Sequence, residues 1–377
     1  MSNTFDVMVI GAGYIGCAIA CHLSMAGLRV ALLERGEIGA GASRANYGNV
    51  QVQDAELAHS LPLTLAGWAR FDGLEERLGA SIGFRQIGSL LLIERESQWR
   101  VMAARLPLLR AAGIEAELLP AERLPEVEPL LDPRAVLGAC YHPREGQVNP
   151  FALLWAYLRR GRAAGLCVHT HTELLEVLIH GGRVCGVNTS RGRFSAGAVV
   201  LTTGAWSATL GRRLGRNWPV RHVCGQALVT ETSPLRLNNH IASAAFFEDI
   251  EDAGGQAVLA ISQAAHGNFL LGEAAHLTTD LGAQATPDGA RAIAAVAGRF
   301  FPALRRLRAL RAWAAPVAFT PDGLPCLGPV AGIAGLFVAT AFKSTVIVTP
   351  LVGELMADLI TRGQTEIDLT PFLPDRS

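Results

Sequence analysis

The feature that most constrains this chain is the run from Val7 to Glu34. Val7-Met8-Val9-Ile10 is a short apolar stretch of the kind that makes a buried parallel strand, and it leads straight into Gly11-Ala12-Gly13-Tyr14-Ile15-Gly16. Cys17 to Met25 then carries a helical pattern, and Arg29-Val30-Ala31-Leu32-Leu33 reads as a second strand closed by Glu34. In a strand, glycine turn and helix of this spacing, Gly11 makes the turn, Gly13 lets a pyrophosphate approach the backbone and Gly16 lets the helix pack on the strand. The first-turn N–H groups, at Tyr14 and Ile15, then face the anion. Glu34 is placed to accept hydrogen bonds from the hydroxyls of an adenosine ribose, and its charge repels a 2′-phosphate. With 40 glycines in 377 residues, the three-glycine spacing alone arises by chance on the order of 0.4 times per chain, so the flanking strand, helix and acid are what give it meaning.

A chain of 377 residues exceeds the usual size of one hydrophobic core, and two domains are expected. Half the residues are apolar, 18% are charged, and Lys+Arg equals Asp+Glu at 33 each, which leaves no electrostatic footprint for nucleic acid or an acidic membrane surface. No apolar stretch reaches about 18 residues without a charge or a break, and the first strand begins by Phe5, leaving no room for a signal peptide. No integral membrane segment and a cytoplasmic location are therefore the expectation. The seven cysteines are scattered and form no C-x-x-C pair, which points to neither a disulfide framework nor a zinc site. Cys17 and Cys21, one helical turn apart, read as small core-facing residues.

After Glu34 comes the glycine-rich loop Arg35-Gly36-Glu37-Ile38-Gly39-Ala40-Gly41-Ala42-Ser43-Arg44-Ala45-Asn46-Tyr47-Gly48. A G-A-S-x-x-N-x-G loop directly after a Glu-terminated second strand resembles the D-amino-acid oxidase family of flavoenzymes, which includes glycine oxidase, sarcosine oxidase and the catalytic subunits of heteromeric opine and hydroxyproline dehydrogenases. The resemblance implies that FAD lies along this loop, with Arg35, Ser43, Arg44, Ala45, Asn46 and Gly48 at its pyrophosphate and isoalloxazine ends. It extends through Leu201-Thr202-Thr203-Gly204-Ala205-Trp206-Ser207, which looks like the family segment that closes over the cofactor. It ends in Thr320-Pro321-Asp322-Gly323-Leu324-Pro325-Cys326-Leu327-Gly328-Pro329, a characteristic family phrase. Val177 stands where the family places a backbone contact to the adenine. Lys343, Ser344 and Thr345 precede a helix from about Val346 to Thr361, whose N-terminus the family aims at the flavin pyrimidine edge.

The fold implied is α/β: a Rossmann-like FAD-binding domain of the glutathione-reductase type with an inserted α+β, mainly antiparallel substrate domain. The boundaries read as 1–83, 147–219 and 316–377 for the FAD domain, and 84–146 and 220–315 for the substrate domain. Residues 54–79 carry helical spacing around Pro62 or Gly73, and a helix is expected from Ser97 to Ala112. Asn149-Pro150 reads as the cap of a helix from Phe151 to Ala164. Phe246-Phe247 and Asn268 to Glu273 read as strands of the substrate sheet. Among candidate catalytic groups, Arg221 and His222 are expected on the substrate side of the flavin, and Lys343, pointing inward, would stabilise anionic reduced flavin. His142 is conceivable as a base, although a loop histidine beside a proline is more often simply solvated.

Two departures from the family matter. The glycine oxidase type clamps the substrate carboxylate with an Arg four residues after the Trp and another in an H-F-R-N loop before the last helix; here those positions are Val317 and Lys343. An apolar side chain cannot replace a guanidinium fork, and a lysine offers only a point charge. A larger secondary amine, such as an opine or hydroxyproline, fits better than glycine, held by Arg221, Lys343, Arg311 or His266. Ala315 stands where monomeric sarcosine oxidase carries its flavinylated Cys, so the FAD is expected to be noncovalent. The implied reaction is hydride transfer from the amine to flavin N5, giving an imine that hydrolyses. Gly272-Glu273 and Lys343-Ser344-Thr345 favour a dehydrogenase that passes electrons to partner subunits over an oxidase. The alternatives are a flavin-binding electron-transfer or structural subunit with a degenerate pocket, or an FAD enzyme of different chemistry, such as a hydroxylase or 2-hydroxy-acid dehydrogenase.

Overall fold

The apolar run forms β1 (Thr4–Ile10), buried from Val7 onward, and the glycine turn releases the chain into α1 (Tyr14–Met25) and β2 (Val30–Leu33). The structure is a computed structural model describing residues 3–53, 55–247 and 257–376. Next come β3 (Asn49–Val50), α2 (Ser60–Ala69) and α3 (Leu74–Leu78). Of the two helix breaks considered for this stretch, the chain uses Gly73, which adopts φ +63°, while Pro62 sits in the first turn of α2, where its missing N–H costs nothing. The chain continues through β4 (Arg85–Gln86), β5 (Ser89–Ile93), α4 (Glu96–Ala111), β6 (Glu117–Pro120), α5 (Leu124–Val127), β7 (Gly138–His142) and β8 (Gly146–Gln147). Asn149 caps α6 (Pro150–Ala163), its Oδ1 accepting the Phe151 and Ala152 N–H groups at 3.1 Å each.

Four strands follow, β9 (Cys167–His169), β10 (Leu174–His180), β11 (Arg183–Thr189) and β12 (Gly192–Leu201), then α7 (Ser207–Arg213). Beyond them lie β13 (Arg221–Thr232), β14 (His240–Ser243), β15 (Ala260–Gln263), β16 (Asn268–Leu277), α8 (Pro287–Phe300) and β17 (Ala309–Phe319). The described chain closes with β18 (Cys326–Pro329), β19 (Leu336–Thr340) and α9 (Thr345–Arg362). Phe246 and Phe247 do not form a strand. Ser243 Oγ accepts the Ala245 N–H at 3.1 Å, which turns the chain at the end of β14 into a 3₁₀ turn over Ala244–Phe247.

Two eight-stranded sheets organise these elements. The first runs β10-β11-β12-β1-β2-β9, with β19 also paired to β12 and β18 to β19. β1 pairs in parallel on both sides, Val9 standing opposite Val200 and Leu32, and a central parallel strand must be apolar on both faces. One face is covered by α1, α6 and α9, and the other packs Met8, Ile10, Val199 and Leu201 against Trp218 and Val220. α9 lies so close to α1 that a Cβ on Gly353 would stand 3.1 Å from the Ala18 carbonyl oxygen.

The second sheet runs β17-β13-β16-β15-β14-β5-β7-β6 and is antiparallel except where β14 pairs with β5. α8 covers one of its faces: Gln226 Oε1 accepts the Thr286 N–H at 2.7 Å, and Gly289 provides the space, since a Cβ there would fall 2.3 Å from that oxygen. The opposite face presents Arg221 and Val223 of β13, Glu273, Ala275 and Leu277 of β16, and Val317 and Phe319 of β17 to a cavity shared with the first sheet. No helix among the described residues is long and apolar enough to cross a membrane.

Candidate active site

The cavity begins at the glycine turn. Gly11 adopts φ +107°, and a Cβ there would fall 2.6 Å from the Thr202 carbonyl oxygen, so strand β12 closes directly over the turn. A Cβ on Gly16 would lie 1.9 Å from the Gly11 carbonyl oxygen: this glycine lets α1 start immediately beneath the strand. Thr202 Oγ1 locks the turn by donating to the Ile10 and Gly11 carbonyls at 2.9 and 2.8 Å. No side chain caps α1 from its N-cap position, and Gly13, Tyr14 and Ile15 line the cavity. The nearest polar group is Ser43 Oγ, which accepts the Tyr14 N–H at 3.2 Å, while the Tyr14 hydroxyl donates to the Ser43 carbonyl at 3.1 Å. Burial pushes that hydroxyl above its ordinary range.

Glu34 borders the same end. Its Oε2 accepts the Ala12 N–H and its Oε1 the Gly36 N–H, each at 2.9 Å, which fixes the carboxylate and leaves each oxygen a further lone pair for a ligand hydroxyl. Arg35 stacks its guanidinium 4.0 Å above the Trp206 ring, and both line the cavity. From there the cavity, about 1470 Å³, continues past Ser43, Ala45 and Asn46 to Lys343, Ser344, Thr345 and the N-terminus of α9. It exceeds the roughly 300–1,000 Å³ of an ordinary small-molecule pocket.

At the far end stands the antiparallel wall. Between β13 and β16, Gln226 pairs with Ala274 and Ala227 with Gly272, so Glu273 of β16 is an extra residue without a partner on β13. This bulge shifts the alternation: Leu271 and Ala274 pack into the core under α8, whereas Glu273, Ala275 and Leu277 face the cavity. Tyr47 reaches across to it, its hydroxyl lying 1.9 Å from where a Gly272 Cβ would be. Lys343 lines the cavity with its ammonium 5.1 Å from the Phe247 ring centroid, and Arg105 of α4 approaches the same ring at 4.5 Å. Arg105 also donates to the Gln53 and Ala55 carbonyls at 3.1 and 2.9 Å.

Of the residues singled out from the sequence, Gly11, Gly13, Tyr14, Ile15, Glu34, Arg35, Ser43, Ala45, Asn46, Thr203, Gly204, Trp206, Arg221, Lys343, Ser344 and Thr345 line this one cavity. Others lie elsewhere. Gly16 is packing beneath the turn, and Gly48, at φ +81°, serves a backbone approach in which a Cβ would fall 2.1 Å from the Val148 carbonyl oxygen. Arg44 is exposed on the outside of the 3₁₀ turn Ala42–Ala45. Val177 packs in the core of β10, and it is Leu174, at the start of that strand, that reaches the cavity; three residues along a strand carry the chain about 10 Å away. His222 alternates to the face opposite Arg221, with Nε2 3.2 Å from the Asp280 carbonyl. Arg311 and His266 are exposed and outside the lining. His142 is buried in β7, 3.4 Å from Cys140 Sγ, and neither solvated nor in the cavity. Tyr47, Gln51, Gln53, Arg105 and Glu273 do line it. A sequence offers no mark for a lone arginine on an amphipathic helix or for a residue turned by a bulge.

The family model described as FAD dependent oxidoreductase, DAO, matches residues 6–359. The chain belongs to the DAO family. Glycine oxidase of Geobacillus kaustophilus is 31% identical over 99% of this chain and 97% of its own. Its crystal structure superposes with a TM-score of 0.89, at 29% identity and covering 99% of each chain. Hydrogen cyanide synthase subunit HcnC of Pseudomonas aeruginosa is 28% identical over 100% of this chain and 97% of its own. The crystal structure of L-proline dehydrogenase from P. horikoshii gives a TM-score of 0.86 at 26% identity, covering 100% and 98%. The DAO protein described here is an oxidoreductase whose cofactor is FAD. The missing Cβ at Gly13, the first turn of α1 opening on the cavity and the fixed Glu34 carboxylate suit its pyrophosphate and adenosine ribose. Among the described residues no group of three metal-binding side chains is present.

Proposed function

We propose that this DAO protein oxidises a small amine or amino acid, with a secondary amine such as an opine or hydroxyproline preferred to glycine. The observation that carries this reading is the single cavity that joins the dinucleotide cradle at α1 to the antiparallel wall, with Lys343 and Arg221 at the wall end. FAD, when bound, supplies the two-electron acceptor for the C–H bond beside the nitrogen, and the imine so formed hydrolyses in water. The chain's part is to bind and orient. Gly13, Tyr14, Ile15 and Glu34 hold the adenosine and pyrophosphate end, and the α9 N-terminus with Lys343 places positive potential at the other. Lys343 attracts a substrate carboxylate as a point charge, while Val317 and Phe319 supply apolar wall where a guanidinium fork would be needed to clamp a glycine-sized substrate. Residues 1–83, 147–219 and 316–377 form the FAD domain in this reading, and 84–146 and 220–315 the substrate domain. Dehydrogenase chemistry with an electron-accepting partner subunit is preferred to direct reaction with oxygen.

The test is the anaerobic visible spectrum of the purified flavoprotein with glycine, sarcosine, D-proline, D- and L-hydroxyproline and opines. Bleaching by a secondary amine and slow return of colour in air is the expected result. A yellow protein that no amine bleaches refutes the reading.

A further inference from the structure

We propose that Glu273 is the residue that binds the positively charged nitrogen of the substrate. The carboxylate is turned into the cavity by the bulge in β16, and among the described residues no side chain or backbone group donates a hydrogen bond to it. Its immediate neighbours Gly225 and Val317 are uncharged. The point where a Cβ on Gly225 would sit lies 3.5 Å from Glu273 Oε1 and 3.5 Å from Val317 Cγ2, so the carboxylate occupies the space that Gly225 leaves, next to an apolar side chain. Tyr47 is the titratable neighbour; its burial and the Glu273 charge both hold its hydroxyl protonated well past the ordinary range.

The carboxylate is half-buried where it faces the cavity, and the desolvation it suffers there pushes its pKa up. A bound cation removes that cost, because opposite charges in a low-dielectric pocket favour each other's ionised forms. Lys343 lines the same cavity and is the basic group we assign to the substrate carboxylate, with the nitrogen on the Glu273 side. The pocket is thus matched to a substrate that arrives as a zwitterion; its nitrogen gives a proton to the Glu273 carboxylate before the C–H bond is oxidised, because only the free base can form the imine. This inference deepens the amine-oxidation reading of the same cavity and rests on it.

The test uses two ligands of nearly identical shape, N,N,N-trimethylglycine and 3,3-dimethylbutanoate, which differ in the charge of one atom and carry the same carboxylate. Their dissociation constants are measured on the holoenzyme from the perturbation of the flavin spectrum. The wild type should bind the cationic ligand about tenfold more tightly than its carbon isostere. Glu273→Gln should abolish that preference while retaining flavin and thermal midpoint, and Glu273→Asp, which keeps the charge, should retain part of it. A wild type that takes up neither ligand or prefers the carbon isostere, or a Glu273→Gln variant with the preference intact, overturns the assignment. Failure of the amine reading shows separately, as a wild type that no amine bleaches; bleaching by an amine without discrimination between the two ligands defeats the Glu273 assignment alone.

Discussion

Glu145 offers a sharp test of how the second sheet is fastened to the cavity. Its Oε1 accepts the Val52 and Gln53 N–H groups at 2.6 and 2.7 Å, and its Oε2 accepts the Ser89 hydroxyl at 2.5 Å with His240 Nε2 3.3 Å away. One buried carboxylate therefore joins the segment carrying Gln53, a cavity residue, to β5 and β14. Glu145→Ala leaves two backbone donors and a hydroxyl without partners in a dry interior, and breaking such a site costs about 3–5 kcal/mol. Glu145→Gln keeps the volume and the oxygen facing Val52 and Gln53, and the Ser89 hydroxyl can reverse to accept, so the loss should be about 1–2 kcal/mol. At about 2.1 cal/mol/K per residue, a chain of 377 residues unfolds with an entropy of roughly 0.8 kcal/mol/K, or about 1.3 °C per kcal/mol. Calorimetry should then show midpoints lower by about 4–6 °C for the alanine variant and about 1–3 °C for the glutamine. Burial pushes the Glu145 carboxyl up, but His240, His142 and the Ser89 hydroxyl outweigh it, and the folded-state value lies below the ordinary one. Its stabilisation is accordingly complete above the unfolded carboxyl range and is lost as pH falls through the folded value, so the gap between wild type and Glu145→Gln should narrow below about pH 4.3. Equal midpoints for wild type and Glu145→Ala at neutral pH would refute the argument.

Three further outcomes are expected. Gly16→Ala forces a Cβ to 1.9 Å from the Gly11 carbonyl and should yield protein with little bound flavin, read from the ratio of visible to ultraviolet absorbance. Glu34→Ala removes the acceptor shared by the Ala12 and Gly36 N–H groups and should weaken FAD binding about 10- to 100-fold, measured by flavin fluorescence released on dilution. Lys343→Met should raise KM for a carboxylate-bearing substrate about tenfold or more; an unchanged KM removes the lysine from substrate binding.

The glycine turn was legible because Gly11 and Gly16 meet backbone and Gly13 meets the Ser43 hydroxyl: spacing and close approach are the same fact seen in sequence and in space. The same holds for Glu34 and for the Asn149 cap, whose partners lie within the next few residues or at a fixed strand end. Val177 lies three residues beyond the point of contact because Leu174-Leu175-Glu176-Val177-Leu178-Ile179 carries no mark of where it meets the cavity; that point is set by β10 starting beside Glu34. Arg44 and His222 were misplaced by a single step of local geometry, the outside of a 3₁₀ turn and the opposite face of a strand. Arg105 and Glu273 depend on distant events, the docking of α4 under Gln53 and a bulge that shifts the phase of β16, and neither leaves a trace in local periodicity.

The close packing of α9 on α1 has a consequence for how the protein is made. Thr345 follows Met25 by 320 residues. At about 5–20 residues per second, a ribosome needs roughly 16–60 s to deliver the second helix after the first. During that interval Ile15, Ile19 and Leu23 await part of their cover, and the cavity lacks the α9 residues that complete its lining. Cofactor retention should therefore wait until α9 has been made, and expression with a chaperone that shields the emerging first helix should raise the yield of yellow protein more than added flavin does.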